Sequence, residues 1–144
     1  TFLGVMSLRG MFSNCCTAFM KAGQNDRALE MLDKCQEVMR RFPLCSTPLG
    51  FSGNDYMVVN IIDQYFKLGQ AEKALLLSGQ MGGELLEAAR FYLEFYDYAR
   101  DDFELCANYI YLLSDTLKAA GEEETATALT KSLTDLVRSA YPAD

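Results

Sequence analysis

Apolar residues recur along this chain at helical spacing, and three stretches of the pattern superimpose. The first reads Phe12-x-x-Cys15-Cys16-x-x-Phe19, then Gly23, then Ala28. The second reads Val58-x-x-Ile61-Ile62-x-x-Tyr65, then Gly69, then Ala74. The third reads Ile110-x-x-Leu113-Ser114-x-x-Leu117, then Gly121, then Ala126. In each stretch an apolar residue stands four before the Gly, and the Gly stands five before the Ala. Farther on, Leu32 and Cys35 align with Ser78 and Met81, and with Thr130 and Leu133. The pattern predicts a first helix with an apolar stripe and a Gly that ends it in the left-handed conformation. A second helix then follows, whose small Ala lets the pair approach closely.

Between the copies lie a Pro/Gly loop, Phe42 to Gly50, and the pair Gly82-Gly83, which predicts a break followed by an extra helix. The resulting expectation is an all-α chain, a single domain over 1–144, with about seven helices. They fall near 4–22, 26–41, 54–68, 70–81, 84–98, 102–120 and 122–140, and the repeats near 8–41, 54–81 and 102–140. Asn25 or Asp26, Asn54 or Asp55, and Asp101 are the expected N-caps. Glu122, Glu123 and Glu124 suit the positive end of the last helix. Glu30 with Lys34, and Glu37 with Arg41, are spaced for i,i+4 pairs.

Composition narrows the function classes. Thirteen Lys and Arg scattered among 20 Asp and Glu give a net charge of −7, which opposes both phosphate backbones and anionic lipid surfaces. No apolar run approaches the length of a membrane span. The chain begins at Thr1 rather than an initiator Met, which predicts a piece of a longer polypeptide. Five cysteines in no Cys-x-x-Cys spacing read as small core residues rather than a disulfide framework or zinc site.

Candidate chemistry is sparse. The chain has no His, so the commonest general base and metal ligand are missing. Gly82-Gly83 lacks the Lys-Ser/Thr of a phosphate loop. Asp101, Asp102 and Glu104 have the composition of a paired acid/base site, but more simply start a helix. Catalytic, cofactor-binding and metal-binding residues are therefore expected to be none. Eight aromatic residues crowd positions 91–111. Phe91, Phe95 and Tyr98 fall on one helical face and read as core. Tyr92 and Tyr96 fall on the neighbouring face, where they either pack on the next helix or hold a peptide or a sugar ring.

The helix–Gly–helix–Ala pattern resembles the tetratricopeptide repeat. The departures are a missing Trp, Ser78 in place of a large residue, and glycines 46 and 52 residues apart where a regular array repeats every ~34. The resemblance implies a right-handed superhelix of antiparallel helix pairs whose concave face, lined by first helices, binds a protein or peptide. On that face it places Asn14, Lys21, Asn60, Gln64 and Lys67, with Asn60 and Gln64 expected to be replaceable by Ala without loss of stability.

Leu8-Arg9-Gly10-Met11-Phe12 running to Lys21-Ala22-Gly23, then Asp26 to Met39, resembles a more particular family. So do Gln64 to Ala74, and Leu86 to Leu93 with its Phe91-Tyr92-Leu93. These segments are similar to the C-terminal soluble tails of bacterial multi-span membrane proteins of the protein O-mannosyltransferase type. The resemblance implies glycosyl-transfer chemistry in a membrane portion outside this chain, an extracytoplasmic location for the tail, and no catalytic residue here. Without that resemblance, a cytoplasmic location is expected. The function expected from all this is a protein-interaction or scaffolding module. Its alternatives are an accessory domain of a membrane glycosyltransferase and a structural domain that forms a homodimer. No cofactor, nucleic acid or direct membrane insertion is expected.

Overall fold

The left-handed glycines organise the molecule. Gly23, Gly69 and Gly121 have φ of 72°, 74° and 87°, and among the described residues no others have positive φ. The computed structural model describes residues 2–45 and 53–142. Within them run six helices: α1 Phe2–Lys21, α2 Asn25–Met39, α3 Gly53–Lys67, α4 Ala71–Glu94, α5 Tyr96–Ala119 and α6 Glu123–Ala140.

The three glycine junctions are built alike. After each glycine the next amide reaches back to a carbonyl five residues earlier: Gln24 to Phe19 at 2.8 Å, Gln70 to Tyr65 at 2.9 Å and Glu122 to Leu117 at 2.9 Å. The glycine amides bond Met20, Phe66 and Lys118. These are Schellman closures, which satisfy the last carbonyls of the first helix. The same three residues, Gln24, Gln70 and Glu122, then offer their carbonyls to Ala28, Ala74 and Ala126 and so start the second helix. Each of those alanines is fully buried, where a longer side chain would hold the two helices apart.

The helices therefore form three antiparallel pairs, α1 with α2, α3 with α4, and α5 with α6. First helices stack in the order α1, α3, α5, and α4 packs on both α5 and α6. Helix α3 is central, and its Val58, Val59, Ile61, Ile62 and Tyr65 are all buried, covering more than one face. Helix α2 buries a single stripe, Ala28, Leu32, Cys35 and Met39, as an outer helix should. Among the described residues α2 and α4 make no close backbone approach; the Asp33–Lys73 ion pair, 2.8 Å, joins them.

The main correction concerns Gly82-Gly83. No break occurs there, and α4 runs unbroken from 71 to 94, so the expected helix 70–81 and most of the expected helix 84–98 are one, while 96–98 begin α5. Gly82 is buried, and a Cβ on it would lie 3.1 Å from Leu129 Cδ1 of α6. The residue is small because α6 passes close by. The real interruption is at Phe95 (φ −122°, ψ 33°), followed by a kink at Ala99 inside α5.

The caps also differ from expectation. Gln24, Gln70, Phe95 and Glu122 occupy the N-cap positions of α2, α4, α5 and α6, with no side-chain capping bond. Asn25, Asp26 and Asp101 lie within helices instead. Asp55 sits buried in the first turn of α3, and the side chain of Asn54 is outside the described residues. Lys34 pairs with Glu37 rather than with Glu30. Residues 46–50 of the Pro/Gly loop lie outside the described residues.

Candidate functional site

Four of the residues singled out in the sequence, Lys21, Asn60, Gln64 and Lys67, come together. With Thr17, Met20 and Asp63 they line a depression of about 410 Å3 between α1 and α3. Lys21 and Lys67 are exposed at its rim, and Lys67 pairs with Asp63 at 2.7 Å. Asn14 is exposed on α1 outside that lining.

Gln64 and Asn60 serve the fold. Gln64 Nε2 donates to the Ser13 carbonyl at 3.0 Å and to Thr17 Oγ1 at 2.9 Å. Its Oε1 accepts from the Ser13 hydroxyl at 3.0 Å. Asn60 donates to the same hydroxyl at 2.7 Å. Ser13 is fully buried and Gln64 nearly so. The amide thus has its donor and acceptor both engaged, as burial demands, and the pair ties α3 to α1. The expectation that both can be trimmed without loss of stability does not fit this arrangement.

The aromatic cluster reverses one expectation, the burial of Phe91, Phe95 and Tyr98, and follows the packed alternative for Tyr92 and Tyr96. Tyr92 is buried in the core, whereas Phe91, Phe95 and Tyr98 are exposed, Tyr98 at 94%. Burial raises the Tyr92 hydroxyl to about 12, with Cys106 and Asp102 adding to the shift. Tyr96 is half-buried and packs edge-on against Phe103 (5.9 Å) and Tyr141 (6.2 Å). The sequence does carry a signal for Tyr92. The spacing Met81, Leu85, Ala89, Tyr92 is one continuous buried stripe, and Leu85, Ala89 and Tyr92 already lie within the expected helix 84–98.

Two charged residues missed in the sequence hold the segment after α2. Arg9 is 2% exposed and donates from Nη2 to the Pro43 carbonyl at 2.9 Å and from Nη1 to that of Leu44 at 3.5 Å. Glu84 of α4 accepts from the amides of Leu44 (3.0 Å) and Cys45 (3.1 Å). Burial pushes the Arg9 guanidinium below its ordinary value, and Cys35, Glu84, Cys45 and Asp55 act against that shift.

Beside this segment opens a cleft of about 680 Å3 where α2 and α4 fail to meet. Asp33 and Lys73 cross it, and the Tyr65 hydroxyl donates to Asp33 at 2.9 Å from the floor. Burial and this bond to a carboxylate push the Tyr65 hydroxyl well above its usual range. Arg40, Arg41 and Phe42 line one end and Leu76 one wall. Nothing in the repeat pattern marks these positions.

Of the five cysteines, Cys16, Cys35, Cys45 and Cys106 are buried and Cys15 is exposed, and all are free thiols. Among the described residues no group of three or more potential ligands is placed to hold a metal ion, and no helix is long and apolar enough to cross a membrane. No protein-family model, curated protein or solved structure matches the chain.

Proposed function

We propose that this chain is a tetratricopeptide-like protein-interaction module with no catalysis of its own, and that it binds a protein or peptide partner along α1 and α3. The observation that carries this reading is the depression between those helices. It gathers Lys21, Asn60, Gln64 and Lys67 from two first helices. The three matching glycine junctions support it, because each folds a first helix against its second, and the first helices pack side by side as a stacked array of pairs requires. The test is affinity capture from the cells that make the protein, comparing the native chain with a Lys21→Glu/Lys67→Glu double variant. Both side chains are exposed, so the fold is expected to survive. Proteins retained by the native chain and lost by the variant support the reading. An identical set on both overturns this choice of face.

By its resemblance to the O-mannosyltransferase-type tails, the module would be carried by a larger membrane protein. An immunoblot band several times larger, in the membrane fraction, supports that context. A soluble band near 16.1 kDa, the mass of the chain, removes it.

A further inference from the structure

We infer that the cleft between α2 and α4 is a second docking groove, and that its occupant is an extended peptide segment carrying carboxylates beside an apolar side chain. The groove lies on a different pair of helices from the α1/α3 depression, so the inference does not rest on that reading.

Shape comes first. The cleft encloses about 680 Å3, within the span of roughly 300–1,000 Å3 over which proteins bury ligands. Among the described residues, its walls carry exposed apolar side chains. Leu76 is 72% exposed and Phe42 is 46% exposed, above the buried Leu77 and Met39. Exposed apolar groups inside a concavity are a place where a partner's side chain gains by leaving water.

Charge then selects the occupant. Both carboxylates that line the cleft are engaged within the chain: Asp33 by Lys73 and the Tyr65 hydroxyl, Glu84 by two backbone amides. Arg40 and Arg41 are exposed, and among the described residues neither side chain has a hydrogen-bond or ion-pair partner. On a chain of net charge −7, the uncommitted charge of this cleft is positive. The negative end of α2 also points here, but two full positive charges outweigh its fractional one. Guanidinium groups bind carboxylates in paired, planar geometry. A carboxylate on Arg40 and Arg41, followed by an apolar side chain against Leu76 and Phe42, satisfies both halves of the groove.

The other occupants fit worse. A second copy joined across a two-fold axis would set this cleft against the same cleft, whose uncommitted charge has the same sign. An anionic membrane would repel the acidic remainder of the surface.

The probe is a phage-displayed library of random dodecapeptides, selected on the immobilised native chain. Winning peptides are then synthesised with a fluorophore and titrated by anisotropy. Winners are expected to pair Asp or Glu with an apolar residue, and to weaken as salt is raised. The Arg40→Glu/Arg41→Glu variant is expected to lose about tenfold or more in affinity, and Leu76→Asp a similar factor. Because these side chains are exposed, both variants should melt with the native chain, which circular dichroism checks. Lys21→Glu/Lys67→Glu should bind the same peptides unchanged. Winners without acidic residues, no winners at all, or winners that bind both cleft variants as well as the native chain would overturn the inference. So would a dimer in light scattering that Leu76→Asp dissolves, since the groove would then belong to a second copy.

Discussion

Arg9 and Glu84 both hold the stretch Pro43 to Cys45 and meet at Leu44. The guanidinium binds the carbonyls of Pro43 and Leu44, and the carboxylate binds the amides of Leu44 and Cys45. Helices α1 and α4 are thereby connected through a piece of chain that belongs to neither. Replacing Arg9 by Met keeps the length of the stem but takes the guanidinium's bonds from the Pro43 and Leu44 carbonyls and its charge from beside Glu84. Arg9→Met is expected to cost about 2–4 kcal/mol. Glu84→Gln keeps an acceptor oxygen and should cost only about 1 kcal/mol. Urea unfolding followed by circular dichroism measures both, and equal costs would contradict a role for the buried charge.

The seam between α1 and α3 gives a second prediction. Gln64 makes three hydrogen bonds to Ser13 and Thr17. Gln64→Ala leaves Ser13 with a carbonyl and hydroxyl short of partners inside the protein, and is expected to cost about 1–3 kcal/mol. Thr17→Val removes a half-buried hydroxyl that accepts from Gln64 and donates to the Ser13 carbonyl, and should cost less. A Gln64→Ala protein with an unchanged melting temperature would show that the seam contributes nothing.

How much of this is legible in the sequence depends on whether local chemistry or distant packing decides the position. Gly23, Gly69 and Gly121 are readable because a left-handed residue and its flanking stripe are a local matter. The burial of Ala28, Ala74 and Ala126 follows from the same register. The gathering of Lys21, Asn60, Gln64 and Lys67 is readable too, once first helices are set side by side. Gly82 misleads because a glycine at a close helix crossing and a glycine at a break look identical in sequence; only Leu129 of α6 tells them apart. The error propagates. A helix restarted at 84 is cut off from Leu77 and Met81, whose burial marks the inner stripe that Leu85, Ala89 and Tyr92 continue, so Phe91, Phe95 and Tyr98 read as core although they are exposed. The α2/α4 cleft is not legible at all. It exists because two second helices fail to meet, and no residue of either carries a signature of that.

The reading of Gly82-Gly83 can be tested directly. Gly83 is exposed on a continuous helix, and a Cβ added to it would meet nothing within 4 Å. Gly83→Ala should therefore stabilise by about 0.5–1 kcal/mol through helix propensity and lost unfolded-state freedom. Gly69 also has open space around it, but its φ is +74°. Gly69→Ala should destabilise by about 1–2 kcal/mol, the cost of placing a Cβ in the left-handed region. Thermal melts of the two variants must move in opposite directions. A helix broken at 83 would instead leave Gly83→Ala neutral or destabilising.

Alkaline pH should unfold this protein through its buried thiols. Burial raises Cys16 and Cys35 to about 11 and Cys106 to about 12, from an ordinary 9.0, the Arg9 guanidinium opposing the shift at Cys35. Cys45 moves in the same direction, first through burial. The sign follows from which state holds the proton. Below pH 9 both states are protonated and the stability is fully present. Between about 9 and 11 the unfolded chain loses thiol protons that the folded chain keeps, so stability falls by about 1.4 kcal/mol per pH unit for each such thiol. Urea midpoints measured from pH 8 to 10.5 should decline steeply, and Cys106→Ala should make the decline shallower by about one proton's worth. Cys15 is exposed and serves as the control: Cys15→Ser should leave the slope unchanged. A flat profile across that window would mean that the thiols titrate alike in both states, and that their burial does not suppress ionisation.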